Sequence, residues 1–285
     1  MFDFFQVLST QTFMQTAVIT GLLASLACGI IGTYVVAKRI VFISGGIAHA
    51  VLGGMGVAYF FNANPLHGAL VAALCAAVII GLVSLRVEQH EDTIIGALWA
   101  IGMAIGILFI SRTPGYKVDL MSYLFGNIIM VPRGDAFLIA GLDVVIMVLV
   151  ILFYKQFLAV CLDEEFARLQ GVNVDFIYIL LLGLIAVTVV ILIRVVGIIL
   201  VIALLTLPAA IAQQYARSLA QMMILSTLLG ALFVMSGLVV SYGPDLPAGA
   251  TIIVISGTVY ILSLIYKMLR LRLSDRMNHA KERVD

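Results

Sequence analysis

Nine stretches of this chain are each about twenty residues long, apolar throughout and nearly free of charge. Crossing roughly 30 Å of hydrocarbon takes about 20 helical residues. A backbone in lipid must satisfy its own hydrogen bonds, so such stretches fold as helices. The pattern predicts spans at about 14–37, 42–61, 66–85, 93–111, 136–154, 174–193, 196–213, 219–241 and 249–267. The count falls to eight if the first or seventh is partly interfacial or re-entrant. Composition points the same way. The chain is 63% hydrophobic and 11% charged, against roughly 45–50% and 25% in soluble domains. The expected architecture is all-α and polytopic, one transmembrane domain over residues 1–285. No polar stretch exceeds about twenty residues, so a soluble ligand-binding domain has no room.

Charge fixes the orientation. With the C-terminus cytoplasmic and spans alternating backwards from it, the inner side holds twelve Lys and Arg and the outer side four, Arg112, Lys117, Arg133 and Arg194. Positive residues collect on the cytoplasmic side. Six of the twelve belong to the tail, Lys267 to Arg283, a basic helix expected to rest on anionic lipid or a soluble partner. The N-terminus, with an acid and aromatics where a signal peptide is basic, predicts no cleavable leader. Cys28, Cys75 and Cys161 lack CxxC spacing, so neither a disulfide framework nor a thiolate metal site is expected.

Three segments between spans stand out. Residues 86–92 form a charged inner turn. Residues 112–135 form a long outer segment whose apolar centre is too short to span and is expected to dip back into the protein. Residues 155–173 form a long inner segment that reads as one amphipathic helix ending at Gly171. Within it Asp163 suits an N-cap, Glu164 and Glu165 suit the positive first turn, and Gly171 suits the left-handed stop. A rigid helix lying along the membrane is a surface a soluble motor can push. A plain interfacial loop helix is the alternative.

No phosphate-binding loop, HExxH or paired-carboxylate helix occurs, and the spans carry few acids. ATP hydrolysis, intramembrane hydrolysis and proton pumping thus lose their support. The chain reads as a non-enzymatic channel, permease or partner-driven subunit. His49 lies mid-span among Ser44, Gly45, Gly46, Ala48, Gly53, Gly54 and Gly56. It either hydrogen-bonds a neighbouring carbonyl in a tightly packed helix or lines a polar path as a metal ligand. Asp143, expected nearer the outer end of its span, is either a paired structural acid or part of that path, and Asp119 either a loop cap or an acid that admits an ion. Pro208 must remove one helical hydrogen bond, giving a static kink or part of a gate. Asp245, between glycine and prolines, suits a tight outer turn, with docking of a delivery protein second. Gly102 and Gly106 form a GxxxG pair, expected to serve close packing.

Taken in order, the His49 segment, LMSYLFGNI (120–128), DEEFARLQGV (163–172), VGIILVIALLTLPAAIA (196–212) and SYGPDLPAG (241–249) resemble one family over nearly the whole chain. It is the permease family of ATP-driven zinc and manganese ABC importers. The resemblance implies the fold of vitamin B12 importer permeases and a prokaryotic inner-membrane location. It also implies a second protomer, two cytoplasmic ATP-binding subunits and an extracytoplasmic metal-binding protein. The ion, zinc before manganese, is cargo, with no permanently bound cofactor and no nucleic-acid partner. Residues 163–171 match the family's coupling helix, carrying Asp163, Glu164, Glu165, Ala167 and Gly171. His49 matches a histidine of the metal path. Where many members have aspartate one turn earlier, this chain has Gly45. That loss of a hard oxygen donor leaves a site less suited to manganese. A missing ligand then comes from Asp119 or the second protomer. The rival readings are a permease for iron or a metal chelate, and a stand-alone channel or carrier.

Overall fold

Apolar stretches, short polar turns and well-formed caps convert the sequence into eleven described helices in the computed structural model. It describes residues 7–86, 91–113, 126, 128, 131–244 and 246–281, with side chains through 270. The helices are α1 (Thr12–Ala37), α2 (Val41–Phe60), α3 (Pro65–Ser84), α4 (Glu91–Arg112), α5 (Arg133–Leu152), α6 (Tyr154–Leu162), α7 (Glu164–Leu169), α8 (Val174–Val196), α9 (Ile198–Tyr215), α10 (Leu219–Tyr242) and α11 (Ala248–Lys281). Nine of them are long and apolar enough to cross a membrane: all but α6 and α7. The nine predicted spans correspond to these nine one for one.

Local chemistry sets the turns. The α1–α2 turn is a Schellman motif, with Arg39 N–H donating to Val36 O and Ile40 N–H to Val35 O. Arg39 occupies the left-handed position at φ 63°, where glycine is usual. The α2–α3 turn repeats the motif with Asn62 at φ 54°, Asn62 N–H donating to Tyr59 O and Ala63 N–H to Ala58 O. Asn64 then caps α3 by accepting from Leu66 N–H, with Pro65 in the first turn. Both connections are therefore tight turns.

Burial sorts the helices. In α1 and α2, 72% of the best membrane window is buried, against 11% in α4 and 22% in α11; α4 and α11 therefore lie on the outside. One group gathers α2 between α3 and α4. The other packs α1 against α5, α9 and α10, with α11 on α9 and α10. Helix α8 joins them, touching α3, α2, α1, α5 and α9. Between helices in lipid the drive is close van der Waals packing, which favours small residues. Gly54 of α2 crosses Gly68 of α3 so closely that a Cβ on either would lie within 2.2 Å of the other's carbonyl oxygen. Gly53 and Gly56 face Gly102 and Gly106 of α4 in the same way. The GxxxG pair is thus spent on packing inside the chain, as expected, and not on a seam with a second copy.

Several expectations change. The segment 155–173 holds two helices: Asp163, the expected N-cap, adopts extended geometry (φ −158°, ψ 111°), ending α6 and starting α7. An aspartate whose side chain serves as N-cap stops the helix before it as it starts the next. Helix α9 runs on through Pro208 without interruption, so proline removes a bond there but does not break the helix. Asp143 stands mid-helix in α5, because α5 begins at Arg133, earlier than predicted. In the segment 112–135, two described residues, Gly126 and Ile128, meet the core. Ile128 is buried, and Gly126 (φ 63°) abuts the Val196–Gly197 backbone where α8 gives way to α9.

Candidate functional site

One end of the molecule is built around α7. Asp163 Oδ1 accepts from Phe166 N–H at 3.0 Å, which caps the helix. Gly171 (φ 81°) ends it in a Schellman motif, with Gly171 N–H donating to Arg168 O and Val172 N–H to Ala167 O. Both caps match the sequence expectation. A six-residue helix is too short to persist on propensity alone, so its seat matters. Ala167 is fully buried and supplies that seat, whereas Leu169 is 87% exposed and Phe166 56%. Glu165 is exposed beside them. Lys38, at the end of α1, ion-pairs with Glu164, and Arg168 pairs with Asp175 of α8. A cleft of about 790 Å³ opens here, lined by Lys38, Arg39, Asp92, Glu164, Arg168 and Tyr178 among others. Next to it, burial pushes the Cys161 thiol up to about 12, with Lys38 pulling it down and Glu164 pushing it up.

Within the bundle, His49 is buried to 9% exposure and its Nδ1 has no hydrogen-bond partner. Its ring stacks on Trp99 of α4, centroids 4.1 Å apart and planes within 12°. Trp99 also covers Gly45, where a Cβ would meet its Cζ3 at 3.4 Å. The space of a carboxylate one turn from His49 is therefore shared with an indole, which is the chain's single tryptophan. Stacking fixes the imidazole plane and leaves a ring-edge nitrogen as its free chemical handle.

Asp143 is buried to 3% exposure, and neither carboxylate oxygen has a hydrogen-bond partner. It lies on α5, which packs on α1 and α8, whereas His49 lies on α2 between α3 and α4. Cys28 of α1 is its electrostatic neighbour. The structure thus keeps His49 and Asp143 in separate helix groups. Among the described residues no three His, Cys, Asp or Glu side chains gather to hold a metal ion. Asp119 and Asp245 lie outside the described residues. Pro208 is buried on α9 one turn from Leu205, whose carbonyl oxygen is approached by Gly32 of α1; a Cβ there would lie at 2.1 Å. At the opposite end from α7, Arg194 of α8 pairs with Asp135 of α5 at 3.3 Å.

The profile of the ABC 3 transport family matches residues 10–267. The chain belongs to the ABC 3 transport family. Among relatives in the family, an uncharacterised membrane protein of Synechocystis is 49% identical over 255 residues, 90% of this chain and 91% of its own length. The manganese transport system membrane protein MntC of Halalkalibacterium halodurans is 32% identical over 263 residues, 92% of this chain and 90% of that protein. A chain of PsaBC from Streptococcus pneumoniae, solved in complex with Fab, superposes with a TM-score of 0.82 at 32% identity, covering 92% of this chain and 94% of its own. The ABC 3 chain is accordingly an integral membrane protein with the permease fold of the vitamin B12 importers.

Sequence reasoning passed over Lys38, Tyr178 and Trp99. Lys38 counted only as an orienting charge, and Tyr178 and Trp99 as ordinary members of apolar runs. The lone tryptophan, deep in a glycine-rich span pair, was the one usable signal. A tryptophan's bulk needs a facing glycine, and Gly45 stands opposite.

Proposed function

We propose that this ABC 3 chain is the membrane subunit of an ATP-driven importer of divalent transition-metal ions, with zinc favoured and manganese next. The observation that carries the reading is α7: a short capped helix seated by Ala167, with Phe166 and Leu169 exposed. Exposed apolar side chains on a short rigid helix fit a groove on a soluble ATPase. The name of the Halalkalibacterium relative adds metal cargo to the same reading. An extracytoplasmic binding protein delivers the ion at the outer face, where Asp119 and Asp245 serve admission and docking.

A second copy of the chain completes the pore. Helix α4 is the least buried of the spans and turns Gly96, Ala97, Ala100 and Ala104 outward beside Ile101, Ile107 and Leu108. Lipid is met well by large aliphatic side chains, and a helix partner by small ones. His49 lies one layer behind that α4 face, joined to it through Trp99. Its unpartnered nitrogen is a transient ligand, and Pro208 and Asp143 belong to the moving walls. With Gly45 in place of a carboxylate, a nitrogen-led site favours zinc over the oxygen shell manganese prefers. The ion must bind weakly enough to leave.

The test is ATP-driven uptake of zinc and manganese by proteoliposomes holding the full complex. His49→Ala should lower zinc uptake at least about tenfold, and Leu169→Glu should lose cargo-stimulated ATP hydrolysis with membrane insertion intact. Ions running down their gradient through vesicles containing this chain alone would refute the importer reading. Unchanged uptake of both ions in His49→Ala would take His49 out of the path.

A further inference from the structure

Four elements meet at the inner end: the last turn of α1, the first turn of α7, the start of α8 and the end of α3. Lys38 Nζ forms an ion pair with Glu164 and lies 5.9 Å from the Tyr178 ring centre. Tyr178 is buried, and its hydroxyl stands 3.1 Å from Ser84 Oγ. The Lys38 side chain is only 18% exposed and that of Glu164 34%, so this pair is less screened than an open surface pair. Its backbone is equally fixed, since Lys38 is the C-cap of the α1–α2 Schellman turn. Helix α2 starts three residues later and carries His49. Helix α7 itself packs on α6 and α8, so its charged tie to Lys38 reaches across to a different part of the fold. Helices α1 and α2 have little mutual packing, whereas α2, α3 and α4 are locked together through glycine crossings.

We propose that Lys38 is the positioning residue that passes motion of the α7 lever into the α2–α3–α4 group. Displacement of α7 draws on Glu164, the ion pair draws the α1–α2 turn, and α2 follows at its first residue. The Tyr178–Ser84 contact keeps the end of α3 beside the same joint. The rest of the α7 surface, with Phe166 and Leu169, then meets the motor, while Glu164 faces inward to the permease. This proposal rests on the importer reading.

The experiment uses the full complex in proteoliposomes and reads ions moved per ATP hydrolysed. Lys38→Met and Glu164→Gln should each lower that ratio about tenfold, with ATP hydrolysis continuing and the complex's melting temperature unchanged. Lys38→Arg should keep the ratio, and the exchange Lys38→Glu with Glu164→Lys should restore it to within about threefold of wild type. An unchanged ratio in both single variants overturns the proposal. So does an exchange no better than the poorer single variant, or a lost ratio that tracks a lowered melting temperature. Wild-type vesicles showing no ATP-driven uptake of either ion would overturn the importer reading and this proposal together. Normal wild-type uptake with no loss in Lys38→Met overturns the proposal alone.

Discussion

Changing Gly54 to alanine tests the packing logic directly, because the same chemical change elsewhere should act in the opposite sense. A Cβ at position 54 would lie 2.1 Å from the carbonyl oxygen of Gly68 and 2.5 Å from the Ala72 Cβ. Carbon–oxygen contacts settle near about 3.3–3.6 Å, so α2 and α3 must part by roughly 1 Å. A gap of about 0.5–1 Å already forfeits a quarter to a half of each dispersion contact along the seam. Overpacking of this kind costs about 1–3 kcal/mol, and this crossing, backbone against backbone, belongs at the upper end. Gly141 of α5 is the control. It is exposed and has no atom within 4 Å of its ideal Cβ, so alanine there gains up to about 1 kcal/mol of helix propensity. The two variants should differ by about 3 kcal/mol, roughly two orders of magnitude in the unfolding equilibrium. Unfolding in mixed micelles, followed by circular dichroism across an SDS titration, measures both. Gly68→Ala added to Gly54→Ala should cost less than it does alone, since the helices have already parted. Equal shifts for Gly54→Ala and Gly141→Ala would refute the claim that glycine contact, and not general helix stability, holds α2 to α3.

Other outcomes follow from single sites. Trp99 is the chain's only tryptophan and stacks on His49, so zinc should alter the intrinsic fluorescence of the purified chain in wild type but not in His49→Ala; an equal response in both separates the ion from the stacked pair. With its thiol raised to about 12 by burial, Cys161 stays protonated through neutral pH. At pH 8 its thiolate fraction is about one in ten thousand, against about a quarter for a free thiol near 8.5. Maleimide labelling of a variant keeping Cys161 as the single cysteine should therefore be slow and climb about tenfold per pH unit beyond pH 9; a plateau by pH 9 contradicts the burial argument. Asp143→Leu should stabilise the isolated chain by about 1–3 kcal/mol in the same SDS titration, because two buried oxygens lack partners. A loss of stability would mean that the carboxyl is bound by something in the native protein.

The spans were legible because membrane helices announce themselves by composition and length alone. The ends of α7 were legible too, since Asp163 and Gly171 are demanded by local backbone geometry within a few residues. The separate helix α6 before Asp163 was not legible, because nothing local sets its start at Tyr154. Partner choice was harder. Gly53 and Gly56 show a close approach without naming Gly102 and Gly106 as the surfaces approached. Lys38 and Glu164 are 126 positions apart, and no local rule joins them. For His49, the sequence named the residue but not its environment, because the indole covering it belongs to a helix two turns of chain later. Asp119 and Asp245 fall outside the described residues, and their roles rest on sequence.

The distribution of contact types also says which part of the chain can move as a body. Glycine crossings leave no slack: with backbones touching, α2, α3 and α4 cannot slide without a clash, so they respond to force together. The α1 group has close crossings of its own, Gly29 against the Thr227 backbone and Gly32 against Leu205, and so forms a second body. Between the groups stand α8, the α1–α2 turn and the ion pair beneath it. Relative motion is cheapest across a boundary where few backbones interlock. Here that boundary passes beside His49's helix and ends at the cleft beside α7, so a push on α7 and a change at the imidazole share one mechanical element. Rigid parts on either side of a sparse seam are what a two-state permease requires. A chain packed uniformly by glycine would hold one state, and one packed loosely throughout would leak.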